Sequence, residues 1–313
     1  MIGRDRYWVA SLVTWVVAIG VYFLLNPLHV SPFALSSLVN QSTTLAFAAV
    51  AQTFVVLTGG IDLSVGPAIS MINSLASNWL PSSGIGIILV ALALVAIGCL
   101  AGALNGICVA FLDLPPIIVT LATGFVFSGI ALFARPNPGG TVPEQLTSSL
   151  TGAAGGVVPS GLLLTIFLFL LLWLPVRESP LGRSIFAVGS NERGAFAAGL
   201  ATRRAKFLAY VLAGGFLGVA GVFFTAYTAT GDALSGNVYT LNSIAAVVLG
   251  GTALTGGRGG ILGSILGAYV IAAILSMLFF LGVSPFYQSV VQGVLLLLAV
   301  AAASVRNLLR GAS

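Results

Sequence analysis

The sequence predicts an all-α polytopic membrane protein of about ten transmembrane helices, some short or broken at glycines, with both termini cytoplasmic. Composition is the first ground: 58% of residues are hydrophobic and 6% are charged, with a mean hydropathy of +1.11. Soluble domains carry about 25% charged residues, so a water-exposed globule is excluded. The second ground is a series of uncharged runs along the whole chain, most of them near the ~20 residues that cross a bilayer. The third is the segregation of basic residues into alternate loops.

Arg4 and Arg6 precede an uncharged run, Tyr7 to Leu25, that is too long for a signal-peptide core. No small-residue cleavage site follows it, so it is expected to stay as the first span, 8–25. Further spans are expected at 38–58, 64–80, 86–111 and 117–134, then at 159–176, 207–228, 241–256, 261–281 and 286–304. Turn chemistry marks the breaks: Asn26-Pro27, Pro81 to Gly84, Pro115-Pro116, Gly231-Asp232 and Ser284-Pro285. The third and eighth spans are short and flanked by glycines, so each is either a half-helix or a full crossing. Residues 1–313 are expected to form one transmembrane domain. It carries an outer loop at 135–158, rich in Gly, Pro, Ser and Thr and expected to be partly ordered, and a cytoplasmic loop at 177–206.

With ten crossings and the N-terminus inside, Arg4, Arg6, Arg177, Arg183, Arg193, Arg203, Arg204, Lys206, Arg258, Arg306 and Arg310 fall on the cytoplasmic side. Arg135 alone is outside. One crossing more or fewer early in the chain would destroy that asymmetry. The net charge of +5 therefore marks cytoplasmic loops rather than a nucleic-acid surface.

Helices in lipid associate through close contact of small residues. Gly98, Gly102 and Gly106 recur every fourth residue in the fourth span, and Gly259, Gly263 and Gly267 at the start of the ninth. Gly214 and Gly218 are spaced alike in the seventh. These stripes serve either packing within the subunit or a dimerisation or sliding surface. Val55-Val-Leu-Thr-Gly-Gly60 and Val247-Val-Leu-Gly-Gly251 are similar and suggest an internal repeat of the kind that frames transport pathways. Cys99 and Cys108 would stand ~13 Å apart along one helix and read as packing residues.

Catalytic chemistry is sparse. The one histidine, His29, reads as an interfacial residue, and neither metal-ligand spacing nor a Ser-His-Asp set is evident. The one lysine, Lys206, lies outside any G-x-x-x-x-G-K-[ST] pattern, so energy from ATP would have to arrive from another subunit. Among the acids, Asp62 is the first candidate to approach the membrane interior, with Asp113 and Asp232 next. Such scarcity weakens the reading as a proton-coupled carrier and leaves it open as an alternative.

The densest cluster of unusual residues is Leu57-Thr-Gly-Gly-Ile-Asp-Leu-Ser-Val-Gly-Pro67, between two apolar segments. A charge in hydrocarbon costs about 2.5–3.5 kcal/mol on insertion scales. Its glycines permit a turn that other residues would resist, and Asp62 and Ser64 can cap the helix that follows. In the 177–206 loop, Asn191 is suited to cap a short helix, with Glu192 in its first turn and Arg203 and Arg204 at its end. Ala195, Phe196, Gly199 and Leu200 would then share one face, turned either to a partner's groove or to the bilayer surface.

Gln52-Thr-Phe-Val-Val-Leu-Thr-Gly-Gly-Ile-Asp-Leu-Ser-Val-Gly66 is very similar to the signature of permease subunits of bacterial ABC importers for simple sugars, the ribose, xylose and galactofuranose group. Ala187-Val-Gly-Ser-Asn191 with Gly199-Leu200, and Ala246-Val-Val-Leu-Gly-Gly-Thr252 with Gly256-Gly257, extend the resemblance over nearly the whole chain. It implies an inner-membrane importer of a monosaccharide. Two permease subunits, either two copies of this chain or this chain and a relative, would form the pathway. Two cytoplasmic ATPase subunits would use ATP and Mg, and a periplasmic binding protein would deliver the sugar. The chain itself would contact lipid, bind no cofactor or nucleic acid, and catalyse nothing.

Residues 191–202 match the family's coupling helix, so Asn191, Glu192, Ala195, Phe196, Gly199 and Leu200 are the expected ATPase-coupling residues. Gly194 stands where the family usually has alanine and would loosen that helix by up to ~1 kcal/mol. Pro67 fits a first helical turn. The candidate pathway or gate residues are Gln52, Thr58, Gly59, Gly60, Asp62, Ser64, Asn73 and Asn105. Asp62 is either a cap or a gate, and the three amides either meet sugar hydroxyls or bridge helices. Related permeases move a furanosyl signalling compound and nucleosides, and these, like a polyol, stay open as substrates. A self-sufficient ion-coupled carrier is the alternative of another class.

Overall fold

The computed structural model describes residues 7–25 and 31–284, with 286–288, 290–294, 297 and 301 beyond them. His29, Arg4, Arg6, Arg306 and Arg310 lie outside the described residues, and the span expected at 286–304 is described only in part. In chain order the helices are α1 (Tyr7–Leu25), α2 (Pro32–Leu57), α3 (Val65–Trp79), α4 (Ile85–Ala110), α5 (Pro116–Ala134) and α6 (Glu144–Thr151). Two short strands follow, β1 (Ala153–Ala154) and β2 (Val158–Pro159), paired antiparallel. Then come α7 (Ser160–Glu178), α8 (Pro180–Ser190), α9 (Glu192–Ala197), α10 (Thr202–Thr228), α11 (Val238–Leu249) and α12 (Ile261–Phe280).

Among the described residues, α2, α4, α5, α7, α10 and α12 are long and apolar enough to cross a membrane. α3 and α11, at 15 and 12 residues, are not. At 1.5 Å per residue they reach only about 22 and 18 Å, short of a hydrocarbon core of about 30 Å. The expected third and eighth spans are therefore shortened helices. α2 begins six residues earlier than expected, because the Ser31 hydroxyl oxygen accepts the Ala34 N–H at 3.1 Å and Pro32 opens the first turn. α7 holds a single π turn, Phe169–Trp173, where the Leu174 N–H donates to the Phe169 carbonyl. Pro175 follows at once and supplies no N–H for the regular ladder.

α2 is the buried axis of the molecule. α10, α11 and α12 pack around it, and α4 and α1 lie outside them. Phe54 stacks on Phe216 at 5.9 Å and meets Trp173 edge-on at 5.6 Å, while Phe47 meets Phe223 at 6.3 Å. Ser42, Thr43 and Thr53 on α2 donate to carbonyls four residues earlier, which satisfies hydroxyls that water cannot reach. By contrast α4, α5 and α7 expose long rows of Ile, Leu and Phe, the surface that lipid covers.

The glycine stripes are packing surfaces inside the subunit. A methyl group on Gly98 would lie 2.8 Å from the Gly218 nitrogen, and one on Gly214 would lie 2.8 Å from the Gly102 nitrogen, so α4 and α10 touch backbone to backbone. Gly263 and Gly267 meet Gly250 and Ala246 in the same way. The 135–158 loop is ordered as well. Its Gly139 exchanges backbone hydrogen bonds of 2.8 and 2.9 Å with Gly231, and Arg135 donates to the Ser77 carbonyl at 3.0 Å and to Asn78.

Candidate functional site

α2 and α11 end alike. At the first, the Gly60 N–H reaches the Val55 carbonyl at 3.2 Å and the Gly59 N–H reaches Val56 at 2.9 Å. At the second, Thr252 reaches Val247 at 3.1 Å and Gly251 reaches Val248 at 2.9 Å. Gly59 and Gly251 both sit at positive φ, +86° and +79°, where a side chain is disfavoured. These are two copies of one helix-ending motif, in the same register of the two similar sequences. The likeness of the two sequences is thus matched by two like helix ends. Thr58, at the first turn, donates its hydroxyl to Val55 at 2.7 Å.

Beyond the first turn lies a polar chain. Asp62 is 2% exposed, and one of its carboxylate oxygens accepts both the N–H and the hydroxyl of Ser64, at 2.7 and 2.6 Å. The Ser64 hydroxyl accepts from the Asn105 amide at 3.0 Å, and the Asn105 oxygen accepts the Thr123 hydroxyl at 2.6 Å. Gln52 is fully enclosed on α2 beside the Asp62 backbone, and with its amide assigned the orientation that satisfies both groups it donates to the Asp62 carbonyl at 3.0 Å and accepts the Asp62 N–H at 3.2 Å. The expected cap is corrected here. Ser64 stands at the cap position just before α3 but makes no capping bond, because its hydroxyl is held between Asp62 and Asn105. Pro67 does lie in the first turn of α3.

Asn73 is separate from this chain. Its nitrogen donates to the Thr225 hydroxyl at 3.0 Å and the Thr230 carbonyl at 2.9 Å, while its oxygen accepts the Asp232 N–H at 2.7 Å. Gln52, Asn73 and Asn105 thus all make inter-segment hydrogen bonds, and none faces an open chamber in this conformation.

The coupling segment departs from expectation. Asn191 caps α9 as expected, accepting the Gly194 N–H at 3.0 Å. The helix then stops at Ala197, because Gly199 takes a positive φ of +80° and the Leu200 N–H returns to the Ala195 carbonyl at 3.1 Å. Arg203 and Arg204 therefore belong to the first turn of α10, not to the end of the short helix. Positive charge there opposes the α10 dipole. Arg203 pairs with Asp113 at 3.1 Å, and Lys206, just beyond the first turn, pairs with Glu192 at 2.6 Å. Nor do the apolar residues share one face. Ala195 is buried against the body while Phe196 is 72% exposed. A cavity of about 550 Å³ links this segment to the first turn, lined by Thr58, Gly59, Gly60, Asp113, Asn191, Glu192, Lys206 and Tyr210 among others.

Sequence reasoning missed Thr123, Thr225 and Tyr210, the last with its hydroxyl packed over Gly60. The signal of the two threonines was weak, because threonine hydroxyls within spans commonly bond their own helix, as both of these also do.

Residues 34–300 match the family described as branched-chain amino acid transport system / permease component. The ribose import permease protein of Bacillus subtilis is 35% identical, over 88% of this chain and 86% of its own. That of Escherichia coli K12 is 33% identical, over 93% and 91% respectively. The autoinducer 2 import system permease protein of Salmonella choleraesuis is 32% identical, over 87% and 78%. No solved structure matches the chain. The chain belongs to this permease family, and it is a multi-pass membrane transport subunit, not itself an enzyme.

Proposed function

We propose that the chain is the pathway-forming subunit of an ATP-driven importer for a monosaccharide, working in the bacterial inner membrane. The observation that carries this reading is end-to-end similarity to ribose import permeases, at 35% identity over 88% of the chain. In this reading residues 1–313 are one transmembrane domain of ten passes with both ends in the cytoplasm, two of the passes being α3 and α11 with the turns that extend them. A second permease subunit completes the pathway, and a periplasmic binding protein supplies the sugar. ATP and Mg are handled by a cytoplasmic ATPase that grips α9 through Phe196, with Asn191, Glu192, Ala195, Gly199 and Leu200 shaping that segment. Gln52, Thr58, Gly59, Gly60, Asp62, Ser64, Asn73 and Asn105 frame the moving gate.

A second substrate, autoinducer 2, is favoured by the Salmonella relative at 32% identity. The test is co-purification of tagged chain with its ATPase from native membranes, wild type against Phe196→Asp. Loss of the ATPase from a variant that still inserts is expected. Undiminished recovery of the ATPase with Phe196→Asp would overturn the coupling assignment, and recovery of no ATPase with the wild type would overturn the importer reading.

A further inference from the structure

Three backbone segments converge beside α9. The Gly257 N–H donates to the Leu57 carbonyl at 3.0 Å, joining the loop that follows the Gly251 turn to the end of α2, and the Ala253 N–H closes that loop on the Arg258 carbonyl at 3.0 Å. Gly189, next to last in α8, is wedged against both. A methyl group there would strike the Leu57 carbonyl oxygen and lie 2.5 Å from the Gly257 nitrogen. One on Gly256 would lie 2.8 Å from the Gly59 nitrogen and 2.9 Å from the Gly189 oxygen. The Ser190 hydroxyl adds a contact of 3.4 Å to the Gly257 carbonyl, and Asn191, the next residue, caps α9.

Contacts between side chains can absorb a small displacement by changing rotamer, whereas close-packed backbone has no such freedom and passes the displacement on. We propose that Gly189, Gly256 and Gly257 form a relay of positioning residues that delivers movement of α9 to both glycine turns together, so that the turns travel as one body. The relay rests on the reading of α9 as the ATPase contact and of the turns as the gate.

It is tested in proteoliposomes holding the full complex with its ATPase and binding protein, measuring ribose uptake and ATP hydrolysis in the same vesicles. Gly256→Ala is expected to hydrolyse ATP within about twofold of wild type while uptake per ATP falls at least tenfold. An unchanged ratio of uptake to hydrolysis would overturn the relay. Should Gly256→Ala not assemble, a Gly59→Cys/Thr255→Cys pair decides, with loss of free thiol confirming that the bridge has formed, since a methyl on Gly59 would lie 3.8 Å from the Thr255 carbonyl oxygen. If the turns move together, oxidising that pair leaves binding-protein-stimulated ATP hydrolysis at its reduced-state rate. Loss on oxidation that a reductant reverses would mean that the turns move apart, and the relay fails. Wild-type vesicles that import no ribose with ATP present would count against the proposed substrate alone, because the cross-link is read by hydrolysis.

Discussion

The Asn73 side-chain oxygen accepts the backbone N–H of Asp232 at 2.7 Å, across 159 residues of sequence. That bond ties the middle of α3 to the loop between α10 and α11. It is one of the bonds that hold this 15-residue helix against its neighbours.

Asn73→Ala leaves the part-buried Asp232 N–H without its partner, at a cost of about 0.5–1.5 kcal/mol for a typical hydrogen bond. The expected outcome is a lower thermal midpoint in mild detergent with the helical content unchanged. An unaltered midpoint would show that the bond contributes nothing.

Asn105 and Thr123 should act as one unit. Because Thr123 donates to Asn105 and Asn105 to Ser64, Asn105→Leu and Thr123→Val share a network. A double-mutant cycle of denaturation midpoints is expected to show a coupling energy of about 0.5–3 kcal/mol. Strict additivity would contradict the network.

Two glycines in spans should respond oppositely. At Gly102 a methyl group would run into the Tyr210 carbonyl of α10, so Gly102→Ala is expected to destabilise severely or to abolish folding. At Gly129, inside α5, nothing lies within 4 Å, so Gly129→Ala is expected to be neutral or stabilising by up to ~1 kcal/mol. Thermal melts of the two variants side by side check this.

The Asp232 carboxylate, in the loop, accepts from the Ser235 hydroxyl at 2.5 Å and the Leu234 N–H at 2.9 Å, and these bonds hold its pKa below the ordinary value. A depressed folded-state pKa stabilises at pH above the unfolded value and is lost as pH falls through the folded one. Asp232→Asn should therefore lose less stability than wild type on acidification through the carboxylate range. Parallel melting curves across that range would count against it.

Much of the fold was legible because helix positions and ends are local matters. A run of some 20 apolar residues marks a span, and Asn191 marks a start, whereas the start of α2 at Ser31-Pro32 went unread. The extent of the coupling helix was misread because Gly199 was taken as part of an apolar face, when its freedom at positive φ ends the helix. Ser64 was misread for a related reason. A hydroxyl at a helix start can cap, but Asp62 and Asn105, brought in by the turn and by α4, compete for it and win.

By itself, then, the sequence determined the membrane-embedded helical class and pointed to the similarity of the two glycine segments that end α2 and α11. Those follow from apolar length and backbone freedom, which belong to short stretches of chain. Only the tertiary structure decided that Gln52, Asn73 and Asn105 join segments, that Phe196 faces out while Ala195 faces in, and that Gly189 meets both the end of α2 and the loop after α11. Each is a relation between residues distant in sequence, and helices carry no record of which neighbour their small and polar residues will meet until they pack.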